Sequence, residues 1–392
     1  MDVMTRSEPK APSRVVVVAV SILGLLMGAF YATAELVSYD WDPVGVVSIG
    51  EDEPEIAAYA RELLGRDVPL TGGLGHDGRF FFIQAMDPLF LNPDEHARLL
   101  DRPTYRAQRM LYPSLAGLAR PFLGTEAVPW AMVALNVVAF GVGTSATAFV
   151  ARRYGASAWW GLAFALNPGV RFELDIAGGG ATAFAAVMVA VALIHRRSTW
   201  PAAAALTVAV LAREVMLIGV VGLAFAKGVG SLRRRTTLVL SPVAAAGLWW
   251  IYVQGRLGDL PGGPGIQELG LPFKGFIGAL DLWSGDPDLD LLIGPFYLIL
   301  ALLMIVRSLR RWTVLELPAA GFAALALVLT KPVWSNYFDI SRALIALPTF
   351  FALSLAASIS SGPGLLGRRS RQQRPDDAPD MPTIESPGRR EA

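Results

Sequence analysis

The sequence predicts an all-α polytopic membrane protein, a bundle of about ten membrane segments with a large first extracytoplasmic loop. Three observations carry that expectation. Of 392 residues, 53% are hydrophobic and only 17% charged, against about 25% charged in a soluble domain. The apolar residues fall in long runs, and a bilayer core about 30 Å thick needs about 20 such residues to cross it. Basic residues between the runs sort to one side.

The elements follow in order. Residues 1–14 read as a cytoplasmic N-terminal tail ending at Arg14. The run from Val15 to Glu35 is the first span. It is too long for a signal-peptide core and lacks a small-residue cleavage site, so it reads as a retained anchor. Residues 36–126 make the large extracytoplasmic loop, and 254–290 a second one. Further apolar runs cover about 127–150, 156–174, 178–194, 236–253, 291–306, 313–330 and 340–358.

The run from Trp200 to Ala226 carries Arg213-Glu214 at its middle. Read as one span, it would place Lys227 and Arg233-Arg234-Arg235 outside. Read as two short segments meeting near Arg213, it keeps them inside with Arg152, Arg153, Arg196, Arg197, Arg307, Arg310 and Arg311. The second reading puts both termini in the cytoplasm. It places twenty of the 34 Lys+Arg inside and twenty-five of the 33 Asp+Glu outside, as the positive-inside rule requires. Trp159, Trp160, Trp200, Trp249, Trp250 and Trp312 then fall at span ends, the depth that amphipathic rings prefer. Residues 15–360 form one transmembrane domain. The stretch 361–392, rich in Pro, Arg, Asp and Ser, reads as a disordered cytoplasmic tail. No internal repeat points to an inverted-repeat transporter.

Composition narrows the chemistry. A net charge of +1 suggests no nucleic-acid partner, and the absence of cysteine excludes disulfides, thiolate metal sites and a cysteine nucleophile. His76, His96 and His195 are too few for a histidine-rich metal centre, so no metal and no cofactor are expected. Function is expected in the outer loops and in the few charges at membrane depth, which are costly there. The first loop opens with an acidic helix, Glu51 to Leu64. It continues with GGLGHDGRFFFIQAMD, Gly72 to Asp87, where glycines flank Asp77 and three phenylalanines must turn to the membrane or into the protein. It ends in YRAQRMLYP, Tyr105 to Pro113. If that segment is helical, Arg106 and Arg109 share a face, and two guanidiniums on one face suit a phosphate or diphosphate. Plainer roles exist for each residue. Asp77 also fits an Asp-Gly turn, Arg106 and Arg109 also fit headgroup contacts, and Arg213-Glu214 also fits a structural ion pair.

The segment GHDGRFFFIQAMDP followed by DRPTYRAQRMLYP, about residues 75–113, resembles a bacterial multi-pass family with a pattern of the type Y-D-G-Q-F-Y-Y…D-P…Y-R-x-Q-R-x-L-Y-P, linked to cell-surface glycopolymer formation. More broadly, Asp77 in a first outer loop after one anchor helix resembles the GT-C superfamily of membrane glycosyltransferases. NPGVRFELD (167–175), LAREVMLIG (211–219) and FDISRALIALP (338–348) carry weaker matches. His76 stands where the pattern often has Tyr, and Arg79 where it often has Gln.

The resemblance implies a GT-C-like bundle in the inner (plasma) membrane with an extracytoplasmic active site. It implies a polyprenyl-phosphate sugar as donor and a glycan or glycolipid as acceptor, among membrane lipids. It implies Asp77 as the catalytic base and Arg79, Arg106, Arg109, Arg213 and Arg342 as the donor-phosphate clamp. His76, Tyr105, Gln108, Tyr112, Asp175 and Glu214 are the implied substrate contacts, with Glu214 orienting Arg213. A lipid-linked-sugar transporter or flippase, or a non-catalytic assembly factor, are the other classes that such a bundle can serve.

Overall fold

The computed structural model describes residues 14–258, 269–285 and 289–365. Residues 1–13 and 366–392 of the predicted tails, and residues 259–268 and 286–288 of the predicted second loop, lie outside the described residues; residues 361–365, expected to be disordered, instead continue the last helix. Helix α1 runs over Arg14–Ser38. The first loop is a chain of short helices: α2 Pro43–Val47, α3 Pro54–Leu64, α4 Gly78–Met86, α5 Pro93–Leu99, α6 Pro103–Arg106, α7 Leu111–Gly117 and α8 Arg120–Leu123. Then come α9 Ala127–Arg153, α10 Leu162–Ala165, α11 Pro168–Asp175, α12 Gly180–His195, α13 Thr199–Ala212, α14 Leu217–Phe225 and α15 Leu232–Leu257. The last group is α16 Lys274–Gly285, α17 Asp290–Arg310, α18 Glu316–Val328, α19 Lys331–Trp334, α20 Tyr337–Ala343 and α21 Ala346–Leu365.

The protein is helical throughout the described residues, but the expected ten spans are not seen. Four helices, α1, α9, α15 and α17, are long and apolar enough to cross a membrane. The pair α20 and α21, bent by 62°, makes a fifth if it counts as one span. The reason is backbone continuity, which hydropathy does not report. The run 156–174 is largely apolar but is cut by Asn167-Pro168. Asn167 caps α11 by accepting from the Gly169 N–H at 3.0 Å, and Pro168 takes the first helical position, where its missing N–H costs nothing. Helices α12, α13, α14 and α18 have only 10–17 residues when α14 is counted with the turn before it. The run 200–226 breaks at Arg213, whose extended backbone (φ −158°, ψ 113°) ends α13.

Packing follows from where the small residues lie. On α1 the buried positions Val20, Gly24, Gly28, Ala32 and Leu36 recur every fourth residue and form one stripe. That stripe meets α9. A side-chain carbon at Gly24 would lie 2.4 Å from the Thr144 hydroxyl, and one at Gly28 would lie 2.7 Å from the Phe140 side chain. Small residues four apart let two membrane helices approach this closely. Helices α9, α12, α13 and α15 then pack in succession, while α14, α17, α18 and α21 form a second group. One continuous apolar core joins them. Phe80, Phe81 and Phe82 are buried in it, so the aromatic run of the first loop folds into the protein. Trp159, Trp200 and Trp312 are exposed, as a belt residue must be. Trp249 instead donates its Nε1–H to the Ala107 carbonyl at 2.6 Å, tying α15 to the first loop.

Candidate functional site

Asp77 stands at the start of α4, where Gly78 begins the helix. Gly78 is required by close approach: a side-chain carbon there would meet the Ile176 carbonyl oxygen at 2.2 Å and that of Val47 at 2.6 Å. Two backbones thus clasp the residue after Asp77 and set where its carboxylate points.

That carboxylate gathers three arginines. Arg106 donates through Nη1 to Oδ1 at 2.8 Å, and Arg342 donates through Nη2 to Oδ2 at 2.8 Å. Arg109 lies 3.7 Å from Oδ2. Burial pushes the Asp77 carboxyl up, but the charges of Arg342, Arg106 and Arg109 outweigh it and hold it well below the ordinary carboxylate value. The site is reachable, since 23% of the Asp77 side chain is exposed.

Each arginine is also tied to a second acid. Arg106 grips Asp101 with two hydrogen bonds of 2.9 Å. Arg109 grips Glu214 in the same bidentate way, at 2.9 Å twice. Arg342 donates from Nε to Glu173 at 3.0 Å, and Arg213 donates to the same Glu173 oxygen. The other Glu173 oxygen accepts from the Gly180 backbone N–H at 2.8 Å. Arg106, Arg109, Arg213 and Arg342 are thus balanced by Asp77, Asp101, Glu173 and Glu214. Such a network is expensive to desolvate and holds only when every member is paired. A narrow gap lined by Arg109, Glu173, Arg213 and Arg342 lies inside it.

Several sequence expectations change at this level. Arg106 and Arg109 do not share a helix face, because α6 ends at Arg106 and the chain turns before α7. They meet at Asp77 through the turn instead. Glu214 does not orient Arg213, and the two are not an ion pair. The extended backbone at Arg213 sends successive side chains apart, so Arg213 reaches Glu173 and Glu214 reaches Arg109. Arg79 does not join the clamp. It is buried, pairs with Glu53 at 3.2 Å and donates to the His76 carbonyl at 3.0 Å. Phe80 lies between the guanidiniums of Arg79 and Arg106, each 4.2 Å from the ring centre.

Of the implied substrate contacts, Tyr105 accepts from Arg109 at 2.5 Å and stacks under it. Gln108 is buried in the turn beside Arg109. Tyr112 is fully buried, its hydroxyl bonded to the Met132 carbonyl at 3.0 Å and to Asn136 at 3.1 Å, which makes it part of the core. His76 and Asp175 line a separate cleft of about 500 Å³. Burial lifts the Asp175 carboxyl to about 6; Arg171 opposes this and Glu35 adds to it.

Sequence reasoning missed Glu173 and Asp101. Glu173 had a signal, an acid inside an apolar run, which membrane depth makes expensive. Asp175, two residues on, drew the attention, but residues two apart on a helix point to different sides. Among the described residues no three His, Asp or Glu side chains group to hold a metal ion. Comparison of the chain with known protein families, with characterised proteins and with solved structures finds no match.

Proposed function

We propose that the protein is an inverting glycosyltransferase of the inner membrane, moving a sugar from a polyprenyl phosphate to a cell-envelope glycan or lipid acceptor on the extracytoplasmic face. The observation that carries this reading is the convergence of Arg106, Arg109 and Arg342 on a single partly exposed carboxylate, Asp77. Guanidiniums in this number suit the leaving phosphate. Preorganised cations stabilise charge that develops on it. An apolar groove of about 420 Å³ supports the lipid part. It is lined by Leu89, Met110, Leu211, Leu248, Trp249 and Tyr252, and Met110 and Leu211 lie one and two residues from Arg109 and Arg213. A polyprenyl chain held there keeps its tail in lipid while its phosphate meets the cluster.

In the reaction an acceptor hydroxyl oxygen bonds to the anomeric carbon, and the carbon–phosphate-oxygen bond breaks. The electron pair leaves on the polyprenyl phosphate, held by arginine, and the hydroxyl proton passes to Asp77. A carboxylate held by three cations is a weak base. The incoming phosphate removes that difficulty by taking over the arginines and releasing Asp77. Both termini lie in the cytoplasm on this reading, with α13 and α14 entering and leaving from that face.

The test is transfer by the purified protein from a polyprenyl-phosphate sugar to a glycan acceptor. Asp77→Asn is expected to lower the rate by about 10²–10⁴, and Arg106→Ala to weaken donor binding. Wild-type transfer by Asp77→Asn would remove Asp77 as the base. No transfer from any polyprenyl donor would favour a second reading, a lipid-phosphate-binding assembly factor, for which the fully paired Asp77 speaks.

A further inference from the structure

The separate cleft holds a chemistry that the arginine cluster does not. Its walls come from the end of α1, from α11, from α20 and from the segment before α4, with Glu35, Tyr39, His76, Phe172, Asp175 and Phe338 facing it. Phe172 packs on Phe338 with ring centres 4.9 Å apart, and Phe338 packs on His76 at 5.0 Å. These rings make a continuous aromatic wall. One cation, Arg171, also lines the cleft, so two carboxylates face a single guanidinium. The Glu35 carboxylate has no hydrogen bond or ion pair among the described residues, and Asp175 faces Arg171 at 3.6 Å, beyond hydrogen-bond length. Both carboxylates therefore keep their acceptor capacity.

Partly buried acceptors that receive no hydrogen bond, set beside flat apolar rings, call for a ligand with many hydroxyl donors and an apolar face. A neutral sugar ring has both. A phosphate or an acidic sugar would meet two carboxylates, Glu35 and Asp175, against the single Arg171 guanidinium, a net charge of the wrong sign. We infer that this cleft binds a neutral sugar residue, its hydroxyls donating to Asp175 and Glu35 and its face lying on Phe172 and Phe338. Assigning that sugar to the acceptor rests on the proposed transferase reading. The cleft and the apolar groove share no lining residue, and each adjoins the Asp77 cluster: the groove through Met110, the cleft through His76 and through Phe338, over which the Arg342 guanidinium sits at 5.2 Å. A donor in the groove and an acceptor in the cleft meet at Asp77.

The experiment uses the full chain in detergent, with a panel of neutral methyl glycosides, a methyl glucuronide and inorganic pyrophosphate as probes. Saturation-transfer NMR reads the sugars, and calorimetry reads pyrophosphate. At least one neutral glycoside is expected to bind, with the glucuronide about 10-fold weaker or more. Asp175→Asn and Phe172→Ala should each weaken the neutral glycoside by about 10-fold or more, leaving pyrophosphate affinity unchanged. Glu35→Gln, at the end of a helix, gives the same reading should either variant fold poorly. The inference is overturned if no neutral glycoside binds, if the glucuronide binds as well, or if binding survives the substitutions. Because these are binding measurements, they separate from the reaction itself. Sugar binding that passes every arm, with no transfer from any polyprenyl donor, leaves the cleft standing and removes the transferase. Transfer with an acceptor KM unmoved by Asp175→Asn and Phe172→Ala does the reverse.

Discussion

Asp77 sits between Arg106, Arg109 and Arg342, the place that the proposed reading gives to the donor phosphate. Removing its charge leaves three buried guanidiniums short of a partner, and breaking a buried pair costs about 3–5 kcal/mol. Asp77→Asn should therefore melt earlier than wild type, and pyrophosphate should raise its melting temperature more than it raises that of wild type. Equal shifts in the two proteins would show that the anion binds elsewhere. The pH dependence has a definite sign. The Asp77 carboxyl is depressed in the folded state, so its pairs stabilise the fold above the free value of about 3.9 and fail only in stronger acid. The Asp175 carboxyl is raised to about 6, so its ionised form weakens the fold, and stability should rise as pH falls from 7 through 6. The histidines, lowered by burial, act in the opposite sense over this window, so a melting curve series from pH 7 to 5 should show wild type gaining stability relative to Asp175→Asn. At this scale the sequence pointed to Asp77 by its flanking glycines, to Arg106 and Arg109 by their spacing and to Arg213 by its charge inside an apolar run, while Arg342 came only with the resemblance. It could not pair them, because pairing depends on a turn after Arg106 and a break at Arg213 that set side-chain direction.

The break between α13 and α14 was legible from charge sidedness alone. A single helix would have put Lys227 and three arginines on the wrong face, and the backbone indeed opens at Arg213. The cut at Asn167-Pro168 was equally present in the sequence, yet the apolar run 156–174 hid it, since hydropathy counts composition and not continuity. The absence of cysteine makes the topology testable. Single cysteines at Thr199 and at Lys227 should be labelled by an impermeant reagent from the same face, and labelling from opposite faces would make the segment a crossing. The start of α4 gives a second element-scale test. Gly78→Ala places a methyl against two carbonyl oxygens on backbones that cannot rotate away. Overpacking of this kind costs about 1–3 kcal/mol, and the displacement should also disturb Asp77, so activity and melting temperature should fall together. Wild-type values for both would mean that Ile176 and Val47 move freely.

At the scale of the whole molecule, class was written in bulk properties. Few charges and long apolar runs sufficed for a helical membrane protein, and every named element among the described residues is a helix. The number of full crossings was not readable, because short helices that pack against one another satisfy the same composition as helices that face lipid. Helix α12, 16 residues long and apolar but for Thr182 and His195, buries most of its residues and packs against α9 and α13. The close seat of Gly24 and Gly28 on Thr144 and Phe140 has a consequence for synthesis. On the proposed topology α1 leaves the ribosome and enters the bilayer first, and its partner surface on α9 is made more than a hundred residues later. At about 5–20 residues per second, α1 waits on the order of ten seconds as a lone helix with its glycine stripe open to lipid. During that interval a second newborn α1 is a competing partner, so correct assembly of this protein becomes a race that dense translation on one messenger would make harder to win.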